Sequence, residues 1–154
     1  MSDIDTLEQA CREETAGLSR LLALLQEEQT LLIAGRLDGL ETLAQQKKGV
    51  LAELEPLGRL RAEWLQRAGV DNRPSLLLLL ADHPAAAAAW LELESVLGQA
   101  QAVNRLNGGF IDDRLKNTEL ALTTLTTAAA STLAYGRDGS RPTVPVGGRH
   151  LGSA

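Results

Sequence analysis

The chain has little of what most active sites are built from. Aromatic residues make up 3% of its 154 positions, and it holds a single cysteine, Cys11, and two histidines, His83 and His150. One cysteine excludes an internal disulfide framework, and no basic start followed by an apolar stretch marks the chain for secretion, so a reduced, cytoplasmic protein is expected. His83 falls in an interhelical loop and His150 in a Gly/Pro-rich tail, neither with a second His, Cys or carboxylate at ligand spacing on one helical face. No metal site and no cofactor are expected. A di-iron carboxylate bundle is excluded too, because neither histidine has a glutamate three residues before it.

Basic charge is also scarce. The formal net charge is -5 and the pI near 5.0, without the clustered Lys and Arg that nucleic acid requires. Long apolar runs are absent as well. The longest, Leu76 to Ala81 with Ala85 to Leu91 beyond it, is interrupted by Asp82, His83 and Pro84, short of the roughly 20 residues that cross a bilayer. Stable membrane insertion is therefore not expected. The glycine-rich end lacks the Lys-Ser or Lys-Thr of a phosphate-binding loop, and Cys11, on an apolar stripe and without a histidine partner, reads as a core thiol. The chain is not expected to be an enzyme.

What is present is leucine and alanine at helical spacing. With 44% hydrophobic residues and so few aromatics, the composition predicts an all-α fold in one domain. Leu7, Cys11, Leu18, Leu21, Leu22, Leu25 and Leu32 mark a first helix over Ile4 to Ala34, with Glu13, Glu14, Glu27 and Glu28 on its outer face. Gly35 stops it. Asp38, three residues before Glu41, is placed to cap a second helix from about Gly39 to Gly69. That helix carries Leu40, Leu43, Val50, Leu51, Leu54, Leu57, Leu60, Trp64 and Leu65, a bend is expected at Pro56, and Lys47 and Lys48 read as a solvated face. Ser75 is placed to cap a short helix through Leu80, and Pro84 opens a third long helix whose stripe runs from Trp90 to Leu133. Trp64 and Trp90 read as core anchors.

The expected architecture is an elongated antiparallel bundle of three long helices plus a short one, over residues 1–135. Residues 136–154, dense in Gly and Pro, read as a disordered tail. The first two helices run about 30 residues and the third about 50, so part of the last stripe lacks an internal partner at 1.5 Å rise per residue. Val103, Leu106, Phe110, Ile111, Leu115, Leu122 and Leu125 lie on that surplus. Two arrangements fit it: a straight helix whose exposed face takes a partner, or a turn at Gly108 and Gly109 that folds the segment back as a fourth helix.

The sequence resembles the FlgN-type flagellar export chaperones over essentially its whole length. The likeness rests on Ala34-Gly35-Arg36-Leu37-Asp38 with Leu40, Leu43, Lys47 and Leu51 beyond it, on Asn104-Arg105-Leu106-Asn107-Gly108, and on Leu133-Ala134-Tyr135-Gly136-Arg137-Asp138-Gly139. It departs in having Gly109 before Phe110, where a bulky aromatic comes one residue earlier. The resemblance implies a cytoplasmic chaperone that holds the helical termini of hook-filament junction proteins and delivers them to the flagellar type III export gate. By the same motifs, Asn104, Asn107 and Gly108 mark the start of the cargo-binding part of the last helix, and Tyr135 is the residue for docking to the gate. A different class of function also accommodates the surplus stripe: a homo-oligomeric coiled-coil scaffold in which the stripe pairs with its own copy and has no export role.

Overall fold

Each helix boundary comes from a local feature that the backbone satisfies. In a computed structural model that describes residues 2–110, 120 and 122–125, α1 spans Asp3–Ile33, α2 Leu40–Arg67, α3 Arg73–Leu80 and α4 Pro84–Gly108. α1 opens on a capping box: the Asp5 backbone N–H donates to Ser2 Oγ at 3.2 Å, and the Ser2 N–H donates to Asp5 Oδ2 at 2.9 Å. The bonds from Ser2 hold the Asp5 carboxyl below its ordinary pKa. α1 ends as expected at Gly35, where φ is +68° and the Arg36 and Gly35 N–H groups bond back to the Leu31 and Leu32 carbonyls. Gly69 closes α2 in the same way, with φ +70°.

Two predicted caps differ. Gly39, in the left-handed region at φ +86°, occupies the N-cap of α2, while Asp38 pairs with Arg36 at 3.1 Å instead of capping. Asn72, not Ser75, caps α3: its Oδ1 accepts from the Ser75 N–H at 2.8 Å, which starts the helix at Arg73. α2 continues through Pro56 as one helix. The largest difference is the end of α4. It stops at Gly108, and Gly109 and Phe110 form a turn, so the single helix expected through Leu133 is interrupted where two consecutive glycines make helix continuation costly.

α1 lies between α2 and α4, and α3 packs on α4. Trp64 near the end of α2 donates from Nε1 to the Asp3 carbonyl at 2.7 Å, which sets α2 antiparallel to α1. Asn107, at the end of α4, donates from Nδ2 to the Leu25 carbonyl at 2.8 Å, which sets α4 parallel to α1. Leu7, Cys11, Leu18, Leu21 and Leu25 of α1 interlock with Leu54, Trp64 and Leu65 of α2 and with Trp90, Leu93, Leu97 and Ala100 of α4. Both tryptophans and Cys11 are core residues, as expected. α1 and α2 approach closely at Gly17, where an added Cβ would stand 2.7 Å from Leu54 Cδ2. Residues 120 and 122–125 are helical, and Leu122 and Leu125 join the same core. Of the two arrangements open to the surplus stripe, these residues take the folded-back one. The expected tail, residues 136–154, lies outside the described residues.

Candidate functional site

The end of α4 is fixed by polar groups buried in an otherwise leucine-rich interface. Lys47 Nζ donates to Glu28 Oε2 at 2.6 Å, with both side chains almost wholly out of solvent. Asn107 Nδ2, besides reaching the Leu25 carbonyl, lies 3.1 Å from Glu28 Oε1. One carboxylate of α1 is thus shared between a cation of α2 and an amide of α4. Deeper in the bundle Arg61 grips Glu14 with two bonds, Nε to Oε2 at 2.6 Å and Nη2 to Oε1 at 2.7 Å, while its guanidinium lies 5.7 Å from the centre of the Trp90 ring. Bidentate geometry and a stacked aromatic suit arginine better than lysine at this depth.

These positions correct the sequence reading. Glu14 and Glu28 are not on an outer face, and Lys47 is not solvated; only Lys48 is exposed as expected. Leu60, placed on the α2 stripe, is 43% exposed, and its neighbour Arg61 occupies the interior. The signal was in the spacing. On α1, Glu14 and Glu28 continue the series Leu7, Cys11, Leu18, Leu21, Leu25 at intervals of three and four, as Lys47 and Arg61 do on α2 and Asn104 and Asn107 on α4. Charge type argued for the surface, but position on the stripe decided.

The sequence-predicted partner residues divide into three groups. Asn104 and Asn107 are buried, Val103 is half-buried against the core, and Gly108 is the last residue of α4, so this part of the motif anchors the helix end. Leu106 and Phe110 point outward, 59% and 56% exposed, an apolar pair at helical spacing where α4 ends. Leu122 and Leu125 are buried at 2% and 6%. Ile111, Leu115 and Tyr135 lie outside the described residues.

Beside Leu125 a half-open groove of about 420 Å³ is lined by Leu51, Glu55, Gly58, Arg59, Ala62 and Thr124. Its walls are mainly apolar, and its charged rim pairs Arg59 with Glu55. Nothing in it resembles catalytic machinery. Burial pushes the Cys11 thiol up to about 12, which keeps it protonated and unreactive. Among the described residues no group of His, Cys, Asp or Glu is arranged to hold a metal ion, and no helix is long and apolar enough to cross a membrane. What the described surface offers chemically here is apolar contact.

Comparison with known proteins agrees with this picture. The family model described as FlgN protein matches residues 1–143. Among solved structures, the chain is similar to a Pseudomonas aeruginosa protein described as a flagella synthesis protein FlgN, with 32% sequence identity and a TM-score of 0.72, over 81% of this chain and 99% of that one. No curated protein matches.

Proposed function

The chain belongs to the FlgN family of flagellar synthesis chaperones, and from that membership we propose that it binds the helical termini of hook-filament junction proteins in the cytoplasm. It prevents their premature assembly and delivers them to the flagellar type III export gate. The observation that carries this reading is the outward-facing pair Leu106 and Phe110, on a helix end whose inner side is tied down by Asn107. A rigidly held helix end presenting apolar side chains suits the capture of an amphipathic client helix, since little ordering entropy is left to lose on binding. On this reading the client face continues from Val103, Leu106 and Phe110 through Ile111 and Leu115 to Leu122 and Leu125, and Tyr135 docks at the gate.

The test is co-purification of the intact protein with candidate junction proteins, with light scattering to give mass and stoichiometry. A discrete complex with one of them is expected. A stable self-oligomer that ignores every candidate would favour the scaffold reading instead. Because Leu106 and Phe110 contribute little to the core, the double variant Leu106→Asp, Phe110→Asp should weaken client binding at least about tenfold while the circular dichroism melt stays unchanged. Unaltered binding by that variant would remove these residues from the client face.

A further inference from the structure

Leu122 and Leu125 have two incompatible duties. As part of the client face they must touch a partner, yet they are buried at 2% and 6% in the core of the chain itself. Leu125 seats closely: a Cβ at Gly58 of α2 would come within 2.9 Å of Leu125 Cδ2, so a side chain there would make that methyl group shift. Around it Leu51 and Ala62 line the groove that Leu125 enters from one side. The neighbouring Leu120, off that stripe, is 64% exposed.

From this geometry, and resting on the client-binding reading above, we infer that residues 122–125 form an autoinhibitory latch: docked on α2 at Gly58 they hide the distal half of the client face, and client binding requires their release. The client's apolar helix then covers the leucines that leave α2.

The segment is suited to letting go. Thr123 and Thr124 separate the two leucines, and β-branched threonine is among the weaker helix formers. Helical order in a protein comes mostly from what an element packs on, and single elements open at lower free energy than the global fold. Apparent client affinity is then the intrinsic affinity scaled by the fraction of molecules with the latch open.

Gly58→Cys with Leu125→Cys tests this in the full chain. The replacement removes the crowding methyl group and sets one thiol on each side of the contact, where a bridge needs the Cβ atoms about 3.5–4.5 Å apart; Cys11 is buried and does not compete. Oxidation should close the bridge, and the oxidised protein should bind the co-purifying junction protein at least about tenfold more weakly than the reduced protein. A second variant, Gly58→Ala, whose Cβ crowds the Leu125 methyl group but stands at ordinary contact distance from Glu14, should bind more tightly than wild type. Failure of the bridge to form, or equal binding by oxidised and reduced protein, overturns the latch and leaves the client reading intact. If the reduced and wild-type proteins both fail to bind any junction protein, the client reading itself falls and the latch with it.

Discussion

The residue that most rewards attention is Arg61. It is fully buried, shares both Glu14 oxygens and stacks near Trp90, while its Nη1 finds no acceptor among the described residues. A buried pair of this kind adds little net stability over an apolar substitute, because desolvation consumes most of the attraction, but removing one partner strands the other charge. Arg61→Ala should therefore cost about 3–5 kcal/mol in urea unfolding, and Glu14→Ala a similar amount. The double replacement Glu14→Leu, Arg61→Met should recover most of that loss. A double variant as unstable as the single ones would mean that the pair stabilises the fold in its own right. Sequence reading put Glu14 on the surface because glutamate usually is there; the interval of three from Cys11 and four to Leu18 was the stronger clue.

At the scale of the element, the helices were legible because their stripes are long and their stops are glycines with positive φ. Gly35 and Gly69 end α1 and α2 where the sequence indicates, and Pro84 opens α4. Caps were less legible. Asn72 and Ser75 are both good capping types, three residues apart, and only the backbone geometry decides between them. Asn72→Ala should lower stability by about 1 kcal/mol, whereas Ser75→Ala, which removes an exposed hydroxyl at a helical position, should leave it nearly unchanged. Equal losses from the two would contradict the observed cap. The end of α4 was ambiguous for a similar reason, since the stripe from Trp90 runs across Gly108 and Gly109 without breaking period. Glycine only weakens a helix; packing of Leu122 and Leu125 on the bundle is a tertiary gain that local sequence does not announce.

At the scale of the molecule, the buried charges specify how α1 and α2 meet. Glu14 and Glu28 lie fourteen residues apart on α1, and Lys47 and Arg61 lie fourteen apart on α2, so both ion pairs close in a single antiparallel register. Sliding α2 by seven residues would still set Leu25 against a leucine, Leu43 or Leu57, but would face Glu14 with Leu54, Glu28 with Leu40 and Lys47 with Leu21 in one direction, or Glu28 with Leu54 and Arg61 with Leu21 in the other. Each slip would leave charges buried and unpaired at several kcal/mol apiece, by order of magnitude. An interface built from so much leucine needs such a device, because leucine seams alone tolerate shifted and oligomeric pairings. Replacing all four by leucine should therefore raise the urea midpoint and preserve helicity while degrading uniqueness. The amide spectrum should show more than one set of peaks, and light scattering should show mass rising with concentration. A leucine variant that remains a monomer with one peak per amide would assign register to leucine packing, Gly17 and the end caps instead, and would make the two ion pairs dispensable to the fold.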